Sequence, residues 1–280
     1  MISPTLCIYH GNCADGFGAA WAIRRRFGDQ VRFFPGAHGR PAPECAGEDV
    51  LLVDFAYPRA QLEAMADSAR SVTVLDHHKT AENDLRPLLA SGRIQGEFDM
   101  ERSGAAMAWD WCFPGEDRPR LIQHIQDRDL WQFRVPGTRE ITAVLFSHEQ
   151  VFEIWDSLAS ALEDPAGREQ LMTIGAALER KHRKDVADLI RATGRTMVIG
   201  GETVPVANIP YMFVSEAGSR MSEGQPFAAC YFDTPHGRKF SLRSQPDGRD
   251  VSVIAESYGG GGHPRAAGFI KPIGWEGDPA

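Results

Sequence analysis

Three short apolar runs near the start of this chain each end in side chains able to hold a cation. Thr5-Leu6-Cys7-Ile8-Tyr9 leads into His10, Val50-Leu51-Leu52-Val53 into Asp54, and Ser71-Val72-Thr73-Val74-Leu75 into Asp76, His77 and His78. Runs rich in Val, Ile, Leu and Thr, bounded by polar residues, read as buried strands. Between them lie helix-compatible stretches, Ala14 to Arg26, the segment after Pro58, and Thr80 to about Leu89. Pro58 suits a helix's first turn. Such alternation implies a parallel sheet with helices on both faces, and open sheets of this kind gather ligands at the carboxyl ends of their strands. One polar ending is an ordinary turn. Three on one sheet would deliver several ligands to one place, and carboxylates mixed with imidazoles suit Mn²⁺, Co²⁺ or Zn²⁺ better than Ca²⁺.

Val31 to Phe34 reads as a further strand, and residues 103–194 as mostly helical, with a long helix over about 168–191. Strand patterns resume near Thr196 and Val204; Phe227 to Phe232 and Lys239 to Arg243 then read as a pair joined by the turn Thr234 to Gly237. The tail from Gly274 is expected to fray. Gly259 to Gly262 is followed by His263 and Arg265. Four bare α-carbons let backbone N–H groups approach a phosphate closely, and arginine binds phosphate bidentately. No Gly-Lys-Ser/Thr follows, so this is not a nucleoside-triphosphate loop. Ser103 either opens a helix whose N-terminus attracts the substrate's anion or serves as a plain N-cap.

Composition sets limits. At 280 residues the chain has room for two modest domains or one large one. Its formal charge of −8 argues against a general grip on duplex nucleic acid, yet leaves short oligonucleotides and mononucleotides open. Five cysteines without a framework fit a reducing compartment. No apolar run approaches the roughly 20 residues needed to span a bilayer, and the start of the chain has no basic-then-apolar signal segment. A cytoplasmic protein is expected.

The strand-borne Asp76-His77-His78, with Asp54, His10 and Asp15-Gly16, resembles the DHH phosphoesterase superfamily. The glycine run with His263, preceded by Ser241-Leu242-Arg243-Ser244, is similar to its DHH-associated C-terminal domain. The likeness covers roughly 5–135 and 195–270. It implies an α/β fold with an N-terminal parallel-sheet DHH domain and flanking helices (1–185), a helical linker or hinge (186–197), and a smaller C-terminal α/β domain (198–280), the active-site cleft lying between the two domains. It further implies Mn²⁺, with Co²⁺ or Zn²⁺ as alternatives, as one or two ions held by His10, Asp15, Asp54, Asp76 and His77, with another aspartate from Asp127 or Asp129. His78, with Asp76, would serve the scissile phosphate. Substrate contacts are expected from Ser103, Arg243, Ser244, Gly260, Gly261, Gly262, His263 and Arg265.

The first motif departs from the usual pattern, since Asn12 and Cys13 stand where another carboxylate is common. Cys13 is either a thiolate ligand that favours Zn²⁺ or Co²⁺ or a small apolar residue packed under the site. The expected function is metal-dependent hydrolysis of phosphodiesters in small nucleotidic substrates: short single-stranded oligonucleotides, dinucleotides or cyclic nucleotides. A homodimer is compatible with this; duplex nucleic acid and membranes are not expected partners. The competing readings are a non-catalytic nucleotide sensor with a weakened site and a zinc hydrolase of unrelated chemistry. Against the latter stands the glycine-His-Arg segment.

Overall fold

The computed structural model describes residues 3–279; Met1 and Ile2, the first residues of the segment read for a signal, lie outside them. By internal compactness the chain divides into two units, the boundary falling between Glu179 and Arg180.

The first unit opens with β1 (Leu6–His10), α1 (Ala14–Phe27), β2 (Arg32–Gly36) and β3 (Asp49–Val53). It continues through α2 (Arg59–Ser68), β4 (Ser71–Asp76), α3 (Lys79–Ala90) and β5 (Gln95–Phe98). Four helices follow, α4 (Gly104–Cys112), α5 (Arg120–Asp129), α6 (Thr138–Phe146) and α7 (Phe152–Glu163), and α8 (Pro165–Thr193) carries the chain past Glu179. The five strands form one parallel sheet in the order β2-β1-β3-β4-β5. Alternate residues feed opposite faces, as the two-residue strand period requires. Leu6, Ile8, Val50, Leu52, Val72 and Val74 pack in one apolar core with Leu62 and Leu85 of α2 and α3. Cys7, Leu51, Val53 and Leu75 pack in the other, with Trp21, Ala105 and Ile125 of α1, α4 and α5.

β5 has no counterpart in the apolar patterning. Gln95, Gly96 and Glu97 are exposed on this edge strand, so burial imposes no pattern on it. Gly96 is instead required by closeness: a Cβ there would lie 2.6 Å from the Val74 carbonyl oxygen.

The second unit contains β6 (Gly194–Ile199), β7 (Glu202–Asn208), α9 (Val214–Met221), β8 (Ala228–Thr234), β9 (Gly237–Arg243), α10 (Val251–Ser257), β10 (Gly261–His263) and β11 (Ala266–Lys271). Its sheet is mixed, in the order β10-β11-β9-β8-β7-β6, with β7 and β8 parallel and the other pairs antiparallel. β8 and β9 are the expected pair, closed by Pro235 and His236 between Thr234 and Gly237. Through Pro279 the tail does not fray as expected, Ala280 lying outside the described residues. Trp275 packs edge-on against Phe240, Glu276 pairs with Arg238 at 2.7 Å, and Asp278 accepts a hydrogen bond from the Gly200 N–H at 2.9 Å. Aromatic burial and an ion pair hold residues that composition alone would leave loose.

Candidate metal centre

Strand register puts the candidate ligands side by side. Tyr9 pairs with Val53, and Val53 with Leu75, so the next residue on each strand, His10, Asp54 and Asp76, falls at the same carboxyl edge. Asp54 then leaves the strand in a left-handed conformation, φ 54°. That conformation costs a non-glycine residue on the order of 1 kcal/mol, and such strain concentrates where a side chain must be aimed.

Asp54 lies at the middle of the cluster. Its Oδ1 is 3.1 Å from His77 Nε2 and its Oδ2 3.3 Å from His10 Nδ1. His77 Nε2 also lies 3.7 Å from Asp15 Oδ2 and 3.6 Å from Asp129 Oδ2. Asp76 Oδ1 accepts from the His77 N–H at 2.8 Å and sits 2.7 Å from His78 Nδ1, which orients that ring. Potential ligand atoms within 4.8 Å of one another fall into overlapping groups: Asp15, His77 and Asp129; Asp54, Asp76, His77 and His78; His10, Cys13 and Asp54.

Asp15, Asp54, Asp76 and His77 are all buried. Burial, then the carboxylates of Asp129 and Asp54, push Asp15 well above the usual carboxylate range. Burial also acts to raise Asp54, but hydrogen bonding and charge from His10 and His77 outweigh it and hold Asp54 well below that range. Both vicinal histidines resist charging through burial, yet Asp54, Asp129 and Asp15 push His77 up to about 11, and Asp76 pushes His78 up to about 9. Four carboxylates converge here, and imidazolium protons are the positive charge the cluster itself supplies. Burying unbalanced charge costs several kcal/mol per ion, so the arrangement favours an added cation.

Two of the expected residues resolve differently from one another. Asp127 is committed to the backbone: its carboxylate accepts from the Arg134 N–H at 2.7 Å, the Val135 N–H at 3.0 Å and Thr138 Oγ1 at 2.6 Å. It caps the turn after α5, where Trp131 and Phe133 take left-handed conformations. Asp129, two residues on, joins the cluster.

Ser103 is the plain N-cap, its hydroxyl accepting from the Ala106 N–H at 3.3 Å. It is fully buried, so the expected substrate contact gives way to a structural one. The anion at the N-terminus of α4 is the protein's own. Gly104 N–H donates to Asp15 Oδ2 at 2.6 Å and Ala105 N–H to Oδ1 at 3.0 Å, as helix N-termini favour. Two glycines absent from the expected site make this possible. A Cβ on Gly104 would lie 2.4 Å from Asp54 Cβ, and one on Gly16 would lie 2.4 Å from the His10 carbonyl oxygen. Their signal in the sequence is adjacency: each directly follows a candidate residue.

No family model matches the chain. The uncharacterized protein R106 of Acanthamoeba polyphaga mimivirus is 31% identical over 288 residues, covering 94% of this chain and 66% of that relative. This chain therefore spans just under two thirds of that relative's length. Among solved structures, the DHH domain of a protein from a ribosomal-protein family superposes with a TM-score of 0.63 at 12% identity, over 96% of this chain and 83% of that one. This chain has the DHH-domain fold. The exonuclease RecJ bound to manganese superposes with a TM-score of 0.47 at 16% identity, over 96% of this chain and 86% of that one. A pGpG-specific phosphodiesterase of Vibrio cholerae gives 0.46 at 15%, over 96% and 93%.

In this DHH-fold chain the remaining expected residues belong to the second unit. Arg243 at the end of β9 donates to Ser215 Oγ at 2.9 Å and to the Leu242 carbonyl at 2.8 Å. Ser244 is buried and its N–H bonds the Arg265 carbonyl at 3.2 Å, while the Arg265 side chain is exposed. The glycine run is more than the loop expected for a phosphate cradle. Gly261, Gly262 and His263 form β10, paired with Gly268, Ala267 and Ala266 of β11. A Cβ on Gly260 would lie 2.0 Å from the Gly268 carbonyl oxygen, and one on Gly262 would lie 2.6 Å from that of Ala266. The missing side chains let two backbones meet. Among the described residues no helix is long and apolar enough to cross a membrane.

Proposed function

We propose that this protein is a divalent-metal-dependent phosphodiesterase acting on small nucleotidic substrates. The observation that carries the reading is the cluster of buried Asp15, Asp54, Asp76 and His77, joined by half-buried His78 and exposed Asp129, at the carboxyl edge of a DHH-fold sheet. The donor set fits a divalent ion. Asp76 Oδ2 is buried and accepts no hydrogen bond, and Asp54 Oδ2, 3.3 Å from His10 Nδ1, accepts none of good geometry; anionic oxygens so weakly satisfied at such a depth are costly without a cation. Oxygen and imidazole donors match Mn²⁺ or a neighbouring metal. Asp15, Asp54, His77 and Asp129 would hold it, with His10 and Asp76 completing the set.

A bound divalent ion supplies Lewis-acid charge stabilisation and an activated water. The chain's own groups do the rest. The N-terminus of α4 fixes Asp15 through two N–H groups, and the strained turn at Asp54 aims its carboxylate at both His10 and His77. His78, held at Nδ1 by Asp76, whose carboxylate favours the charged imidazolium, is placed to stabilise the phosphoryl charge and to give a proton to the departing ester oxygen as water oxygen bonds to phosphorus. His263, Arg265 and Arg243 are the proposed phosphate contacts of the second unit. The net charge of −8 favours short substrates over duplex nucleic acid.

The test is hydrolysis of bis-p-nitrophenyl phosphate by metal-stripped protein resupplied with Mn²⁺, Co²⁺, Zn²⁺ or Mg²⁺, beside an Asp76→Ala/His77→Ala double variant. Activity that returns with metal and is absent from the folded variant supports the reading. No turnover with any metal in folded wild-type protein refutes it and leaves nucleotide binding without catalysis.

A further inference from the structure

We propose that Cys13 is a thiolate ligand which, with His10 and Asp54, forms a cation position preferring Co²⁺ or Zn²⁺. The proposal rests on the metal-dependent reading above and adds a sulfur donor to it. One ligand atom each from His10, Cys13 and Asp54 lies within 4.8 Å of the others, and His10 Nδ1 and Asp54 Oδ2, at 3.3 Å, already stand at the roughly 3.3–3.8 Å spacing of donors around a tetrahedral zinc.

Its surroundings oppose the alternative that Cys13 is a small apolar filler. Cys7 and Cys112 lie in the core on one face of the first sheet, Cys45 in the core on the other, and Cys230 in an apolar cluster of the second unit. All four are buried. Cys13 alone is partly exposed, and among the described residues it belongs to none of these clusters.

Cys13 is the N-cap of α1, a position where Ser, Thr, Asp or Asn usually accept a hydrogen bond from the helix; its sulfur has the Gly16 N–H as a neighbour but makes no cap hydrogen bond of good geometry. Asp54 Oδ2 is buried and, although 3.3 Å from His10 Nδ1, accepts no hydrogen bond of good geometry, so the pair leaves it a lone pair for a cation. Asp15, His77 and Asp129 offer only oxygen and nitrogen, so the thiolate makes one side of the centre softer than the other.

The test is absorption spectroscopy of metal-stripped protein titrated with Co²⁺, in wild type and in the Cys13→Ser and Cys13→Asp variants, with circular dichroism as the check on folding. Wild type is expected to show visible d–d bands together with a sulfur-to-cobalt charge-transfer band in the near ultraviolet. Both variants should keep d–d bands and lose the charge-transfer band, and in Cys13→Asp the preference for Zn²⁺ over Mn²⁺ should fall by about tenfold or more. Bound cobalt without charge transfer in wild type, or a charge-transfer band that survives Cys13→Ser, overturns the thiolate and leaves the metal-dependent reading standing. Folded wild-type protein that binds no cobalt, manganese or zinc overturns both.

Discussion

Adding one methyl group at Gly104 sets two physical effects against each other. As a residue of α4, Gly104 replaced by alanine should gain up to about 1 kcal/mol in helix propensity. The structure predicts the opposite sign. The new Cβ would lie 2.4 Å from Asp54 Cβ, 2.9 Å from Asp54 Cα and 3.0 Å from Asp15 Oδ2. Relief to ordinary contact near 3.5–4.0 Å requires a displacement of about 1 Å or more. That displacement draws the Gly104 and Ala105 N–H groups away from Asp15, to which they bond at 2.6 and 3.0 Å. Overpacking costs about 1–3 kcal/mol, and weakening hydrogen bonds to a buried charge about 1.5–3 kcal/mol. Less the propensity gain, Gly104→Ala should destabilise the protein by about 3 kcal/mol. Urea unfolding of metal-stripped protein under reducing conditions reads this directly as a lower midpoint. Calorimetric titration with Mn²⁺ should show affinity reduced by about tenfold or more, because Asp15 and Asp54 move together. A variant as stable as wild type or more so, with unchanged Mn²⁺ affinity, would refute this account of how α4 builds the centre.

Asp127 and Asp129 should separate cleanly. Asp127→Asn presents an amide to donors that now meet a carboxylate and should cost about 2 kcal/mol or more in urea, whereas Asp129→Asn should keep its stability and bind Mn²⁺ more weakly; equal stability losses would undo the distinction. His124 is buried with Nδ1 3.0 Å from Thr138 Oγ1, and burial holds it below the ordinary imidazole range. The unfolded chain therefore takes up that proton first as pH falls, and the stability present above about pH 6.5 is lost below it. His124→Asn should flatten the decline in unfolding free energy between about pH 7.5 and about pH 5.5; an unchanged slope would show that His124 does not contribute to it. In the second unit, Gly260→Ala should cost about 2–3 kcal/mol through its clash with the Gly268 carbonyl. Gly259→Ala, at φ 80° with open space around it, should cost only about 1 kcal/mol; comparable losses measured by denaturant unfolding would mean that the close approach is not what selects glycine.

The chain announces its parallel sheet and the carboxyl-edge ligands because both are local. Apolar runs ending at His10, Asp54 and Asp76 are recognisable from strand period and termination, and parallel register then levels them without further information. The choice between Asp127 and Asp129 is not local. It depends on the left-handed turn at Trp131 and Phe133, which folds the Arg134 and Val135 N–H groups back onto Asp127. Gly104 reads as an unremarkable helix start until Asp15, 89 residues earlier, arrives beneath it. The glycine run shows bare backbone in either form, and only pairing with β11 reveals that the backbone meets another strand. Edge strand β5 escapes pattern because its residues are exposed and carry no burial period, and the tail at Trp275 because its partners are distant in sequence. Periodicity and termination are properties of a segment. Which carboxylate faces the cation, and which glycine has no room for a methyl group, depend on atoms supplied by another part of the chain.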